Sequence, residues 1–163
     1  MIGSLSKLFR RPEPALLDAR PSDAAALAAL HAISFRHGWS EEEFERLLAD
    51  RSVVCHLARA AGGTGPVVGF VIARIVEDEA EILMVAVAPS ERGRGLGRRL
   101  IARHLGRLAA HGVRHVFLEV DEGNDSALKL YARAGFERVG RRPGYYQTPE
   151  GNAAALLMRR DLI

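Results

Sequence analysis

Residues 80–111 read AEILMVAVAPSERGRGLGRRLIARHLGRLAAH. An apolar strand pattern turns at Pro89, crosses an arginine- and glycine-rich loop and enters an amphipathic helix. A strand, a glycine loop and a helix N-terminus in that order make a ready site for a phosphate-bearing ligand. Backbone N–H groups converge there, and the helix dipole adds partial positive charge. The helix, residues 96–111, carries Leu100, Ile101, Leu105 and Leu108 along one side. Arg99, Arg103 and Arg107 follow a four-residue spacing on a separate face, and Gly112 reads as the C-cap.

Before this segment, residues 15–20 read as a short first strand. Pro21-Ser22-Asp23 marks a helix start with Ser22 or Asp23 as cap. Ser40-Glu41-Glu42-Glu43 is a capping box, opening a helix with Phe44, Leu47 and Leu48 on one face. Residues 53–60 and 67–76 then form a hairpin around a glycine-rich turn, and residues 80–87 complete an antiparallel meander. After the central helix, residues 113–120 form a nearly continuous apolar strand, the pattern expected when helices cover both faces. A strand, helix and strand in succession predict parallel pairing with residues 80–87. Asn124-Asp125-Ser126 caps another helix, with Ala127, Leu130, Tyr131 and Ala134 sharing a face and Gly135 ending it. Residues 136–141 and 153–162 read as the last strands, around a loop at 143–152.

The 163 residues suit one domain, and 48% hydrophobic with 26% charged residues is an ordinary globular balance. No apolar run reaches the roughly 18–20 residues of a membrane-spanning helix. Residues 1–14 read as a leader, frayed or locally packed, and lack the pattern of a secretory signal. Ile2, Leu5, Leu8 and Phe9 near helical spacing leave an amphipathic anchor as the alternative. The formal net charge of +3 is mild, and no basic stripe interleaved with aromatics suggests nucleic acid. The lone Cys55 excludes an intrachain disulfide and suits a reducing cytoplasm. The histidines show no metal-ligand spacing, so no metal is expected.

Spacing decides what the loop holds. A dinucleotide fingerprint needs a glycine where Arg98 stands, and a P-loop needs a terminal Gly-Lys-Ser/Thr that is absent. Arg92-x-x-Gly95-x-Gly97 after a strand and before a helix resembles the acetyl-CoA signature of the GCN5-related N-acetyltransferase (GNAT) superfamily. Asn124-x-x-Ala127-x-x-Leu130-Tyr131-x-x-x-Gly135-Phe136 is similar to its second signature, and the likeness covers roughly residues 15–162. Phe117-Leu118-Glu119-Val120, Tyr131 and Arg142-Pro143-Gly144-Tyr145-Tyr146, with the Trp39-Ser40 loop, resemble the ribosomal-protein-alanine N-acetyltransferases (the RimI group).

The resemblance implies a single α/β (α+β) domain over residues 15–163, its mixed, mostly antiparallel sheet holding one parallel strand pair between flanking helices. It implies acetyl-CoA as donor, its pyrophosphate on the backbone of Gly93, Arg94, Gly95, Leu96, Gly97 and Arg98. Pantetheine and acetyl would lie along Val85, Ala86 and Val87, where a backbone N–H polarises the thioester carbonyl. Asn124 would touch the cofactor, Glu119 would be general base and Tyr131 general acid. Trp39, Arg142, Tyr145 and Tyr146 would line the acceptor groove. The implied acceptor is the N-terminal α-amine of a cytoplasmic protein, a small-subunit ribosomal protein beginning with alanine, with the enzyme a monomer or weak dimer.

Other readings stand beside these. Glu119 also reads as a strand carboxylate paired with an arginine, Tyr131 as core, and Asn124 as a helix cap. The same fold serves acetylation of a lysine side chain or small amine, or binding of an acyl-CoA without turnover. In the RimI group an acidic residue is expected about where Ala154 stands, which bears on the acceptor and leaves the donor untouched.

Overall fold

The computed structural model describes residues 11–35, 37–148 and 151–162. Its elements are β1 (Ala15–Asp18), α1 (Ala24–Ser34), α2 (Glu41–Ala49), β2 (Val53–Arg59), β3 (Val67–Val76), β4 (Glu79–Val87), α3 (Leu96–Ala110), β5 (His115–Asp121), α4 (Asp125–Arg133), β6 (Glu137–Thr148) and β7 (Gly151–Asp161). The strands form one sheet in the order β1-β2-β3-β4-β5-β7-β6. Every adjacent pair is antiparallel except β4 and β5, which run parallel across the α3 crossover, as the strand–helix–strand order requires. Among the described residues no helix is long and apolar enough to cross a membrane.

Alternation along β3 separates the two faces of the sheet. Phe70 meets Phe44 of α2 edge-on, with ring centroids 5.7 Å apart. Its neighbour Gly69 faces α3, where an added Cβ would lie 2.9 Å from a Leu100 methyl. Only glycine lets α3 approach the sheet this closely. The fully buried Leu100, Ile101 and Leu108 of α3 form one half of the core, and Leu27, Phe44 and Phe70 the heart of the other. The arginine face of α3 ties down the start of the chain: Arg99 donates to the Pro14 carbonyl at 3.2 Å, and Arg103 and Arg107 pair with Asp18. Residues 1–10, and with them the possible amphipathic anchor, lie outside the described residues.

Three expectations change in the structure. Asp23 does not cap α1; its carboxylate accepts from the Arg20 N–H at 2.8 Å and pairs with Arg59 at 2.7 Å, after a 3₁₀ turn at Pro21–Asp23. Strand β5 is not covered on both faces. Val116, Leu118 and Val120 are buried, while Phe117 and Glu119 on the other face stay half-buried, because α1 and α2 pack over β2, β3 and β4 instead. The loop expected at 143–152 is mostly hairpin, since β6 runs to Thr148 and β7 starts at Gly151. Among the described residues of this segment the irregular part is residues 143–145, skipped between the pairs Arg142–Ala155 and Tyr146–Ala153. Pro143 has no N–H to donate there, and Gly144 adopts φ of +65°. Leu96 is buried against Gly69, so its side chain belongs to the core and its backbone is what it can offer a ligand, as expected of this loop.

The capping box at α2 forms as read: Ser40 Oγ accepts from the Glu43 N–H at 3.2 Å, and Glu43 accepts from the Ser40 N–H at 2.7 Å. Ser40→Ala is expected to cost about 1 kcal/mol of stability in urea unfolding, because the Glu43 N–H at the start of α2 loses its acceptor.

Candidate active site

The parallel pair β4–β5 is short. It joins only Glu79–Ile82 to His115–Leu118. Beyond Ile82 the register of β4 against β3 slips by one residue at Leu83, a β-bulge that bends and twists the strand. The ends of the two strands then part, β4 staying with β3 and β5 with β7. Ala88 donates to Val68 at 2.8 Å, so ladder alternation uses the Ala86 N–H on β3 and turns those of Val85 and Val87 toward the split. The carbonyl of Val87 points the same way and accepts from Arg92 Nε at 3.3 Å. Two of the three predicted thioester residues thus have backbone groups free to act there, and Ala86 does not.

At the same end of β4 stands the N-terminus of α3. Gly95 takes the N-cap position with φ of +81°, a left-handed conformation that favours glycine, and has no side chain with which to cap. The first intrahelical bond runs from Arg99 to the Gly95 carbonyl at 3.2 Å. The N–H groups of Leu96, Gly97 and Arg98 precede it and have no acceptor inside the helix. The first turn holds no acidic residue, against the usual preference at a positive helix end. Gly93, Arg94 and Gly95 are exposed, and nothing lies within 4 Å of where a Cβ on Gly93 or Gly95 would be. Gly97 faces Leu130 of α4 and Val87 of β4, so loop, helix and strand end meet at one place. An uncapped, cationic, open helix start beside a strand split suits a pyrophosphate with an extended arm.

One residue of this loop escaped the sequence reading. Glu91 is only 3% exposed and carries ion pairs to Arg94 at 3.7 Å and to Arg11 at 3.4 Å. It joins the leader to the glycine loop. An acid set among Arg92, Arg94 and Arg98 was the signal available for it.

The opposite face of the sheet holds Glu119, Arg142 and Tyr145. Glu119 lies on β5 one residue past the last β4–β5 pair, with its side chain 25% exposed. Arg142 of β6 reaches it, Nη2 to Oε1 at 3.2 Å, and the guanidinium lies 4.6 Å from the centre of the Tyr145 ring. The paired-carboxylate reading of Glu119 therefore holds in the free molecule. Tyr146 pairs with Ala153 in the hairpin; its side chain lies outside the described residues. Leu157, opposite Glu119 on β7, lines a groove of about 240 Å³ with Arg74, Glu79, Glu81 and Phe117. Trp39 is not in that group. It stacks on His31, its ring centroid 5.2 Å away, and lines a separate cavity of about 420 Å³ with Glu43, Leu47 and Asp50; Arg74 borders both hollows. Ala154 is buried at 1% exposure, and alternation from Ala155 turns it away from the Glu119 face. An acid at that position would not look toward Glu119.

On the other flank of the split, α4 begins four residues after β5 ends. Asn124 caps it, its Oδ1 accepting from the Ala127 N–H at 3.2 Å. Tyr131 is buried at 9% exposure, its ring edge-on to Phe136 with centroids 5.9 Å apart. Cys55 is core, and burial pushes its thiol up to about 12, so it is no nucleophile. Among the described residues no cluster of His, Cys, Asp or Glu is arranged to hold a metal ion.

Residues 24–136 match the Acetyltransferase (GNAT) family. The chain is 33% identical to the [ribosomal protein bS18]-alanine N-acetyltransferase of Escherichia coli over 80% of its own length and 87% of that protein's. It is 40% identical to the N-alpha-acetyltransferase RimI of Mycobacterium tuberculosis, covering 86% and 87% of the two chains. The crystal structure of the ribosomal-protein-S18-alanine N-acetyltransferase from Escherichia coli superposes with a TM-score of 0.83 at 27% identity, over 91% of this chain and 94% of that one. A family match over most of the chain accounts for the short parallel pair, the bulge in β4 and the uncapped helix start together: the chain belongs to the GNAT family of acetyltransferases.

Proposed function

We propose that this enzyme transfers acetyl from acetyl-CoA to the N-terminal α-amine of a protein, a ribosomal protein beginning with alanine. The names of its relatives support that acceptor. The observation that carries the chemistry is the place of Glu119, half-open on one face of the sheet where β4 and β5 part, with the glycine loop at the far end of β4. Donor and acceptor then reach the split from different sides. The loop backbone holds the pyrophosphate, and an N–H of Val85 or Val87 steadies the carbonyl oxygen as it gains charge. The amine nitrogen bonds to the acetyl carbon and loses a proton to Glu119, directly or through water. As the C–S bond breaks, Tyr131 gives its proton to the departing thiolate.

Energetics favour an α-amine. With a pKa of about 7.7–8.0 it is roughly a tenth neutral at pH 7, whereas a lysine near 10.4 is protonated more than a thousandfold over. Glu79 and Glu81 in the groove favour a cationic acceptor and keep the lysine or polyamine reading alive. The test is acetyl transfer to an alanine-starting peptide, to its N-terminally blocked form and to a polyamine. The α-amine reading expects turnover of the first alone, with kcat/KM rising from pH 6 and levelling off near pH 8. Turnover of the blocked form, at an internal lysine, or of the polyamine overturns it, and CoA binding without any turnover marks a binding domain instead.

A further inference from the structure

We infer that Arg142 is a built-in stand-in for the acceptor's ammonium, occupying Glu119 until the acceptor displaces it; this rests on Glu119 being the base. In the free molecule the guanidinium holds one oxygen of Glu119 at 3.2 Å, so the carboxylate that must receive an incoming cation already carries one. The two cannot share that oxygen at close range without like-charge repulsion.

Three features let Arg142 yield without disturbing the sheet. Its Nη2 lies 3.2 Å from Glu119 Oε1, and its side chain is 59% exposed. The Tyr145 ring, 4.6 Å from the guanidinium carbon, gives the cation a second surface to rest on after it leaves the carboxylate. The backbone beside it is anchored independently, since Arg141 grips Glu122 through two bonds of 3.0 and 3.1 Å. Arg142 therefore swings as a side chain while β6 stays in register.

A solvent-exposed pair of this kind is worth up to about a fivefold factor in an equilibrium. Arg142→Gln is expected to lower the KM for an alanine-starting peptide about two- to fivefold, the change lying in KM rather than kcat. Arg142→Lys, which keeps a point charge for a one-bond contact, should restore a KM near that of the unsubstituted enzyme. The gap between enzyme and Arg142→Gln should narrow as salt is raised from 0.05 to 0.5 M, because salt screens the exposed pair. An unchanged or raised KM in Arg142→Gln, with Glu119→Gln strongly impaired, overturns the stand-in alone. A Glu119→Gln enzyme as fast as the parent overturns the base assignment and the inference with it.

Discussion

Tyr131→Phe and Glu119→Gln are each expected to slow acetyl transfer by about 10²- to 10⁴-fold at saturating acetyl-CoA and alanine-starting peptide, the usual contribution of a positioned acid or base. Each change removes the atom proposed to handle a proton, and Glu119→Gln also gives up the charge that pairs with the exposed Arg142. Tyr131 is packed through its ring against Phe136, and a phenylalanine keeps that contact. Glu119→Gln keeps the shape of a strand residue that is only partly buried. Thermal unfolding of Glu119→Gln should therefore move little while turnover collapses. The two residues flank the split, Glu119 on β5 and Tyr131 on the α4 that follows it. The double variant should cost less than the product of the single effects, because acid and base serve one displacement. If neither single variant slows transfer tenfold, the assigned roles are wrong.

How much of this was legible in the sequence depends on the range of the cause. Local chemistry read well: the Ser40–Glu43 box, the Asn124 cap and the parallel crossover through α3 all follow from neighbouring residues. Donor-site geometry was also close to the surface of the sequence, since Gly95 at the N-cap of α3 needs only a strand before it and a helix after it. What could not be read depends on partners far along the chain. The apolar run at 113–120 looked covered on both faces, yet it is how far α1 and α2 extend over the sheet that leaves Glu119 open. The skipped residues 143–145 looked like loop, because proline and glycine mark irregularity but not its length. Glu91, Arg142 and the histidines under α3 gain their meaning from contacts that no spacing rule contains.

Those histidines give the second large effect. His56 of β2 and His104 of α3 are 2% and 0% exposed and meet Nδ1 to Nδ1 at 2.8 Å. His56 Nε2 lies 3.3 Å from Asp18 of β1, which assigns its proton to Nε2; His104 must then carry its proton on Nδ1, and its Nε2 is a buried lone pair with no hydrogen-bond partner. Protonating His56 would set two N–H groups against each other, and protonating His104 would bury a charge. Burial pushes His56 down to about 4, Asp18 opposing and Arg103, Arg107 and His111 adding to it. Burial and then His56 push His104 down to about 3.

Since the unfolded chain takes up these protons near pH 6.5, it binds more protons than the native state as pH falls from there toward 4 and 3. The stabilisation is present above pH 6.5 and is lost on the way down, at about 1.4 kcal/mol per pH unit for each proton. Most of the loss falls above pH 4.5, where the lowered carboxyls of Glu122 and Asp161 do not yet contribute. Urea unfolding of the full chain should show stability dropping by several kcal/mol between pH 6.5 and 4, and His104→Gln should roughly halve that slope whatever its stability at pH 7. An unchanged slope would mean that the pair does not titrate with folding.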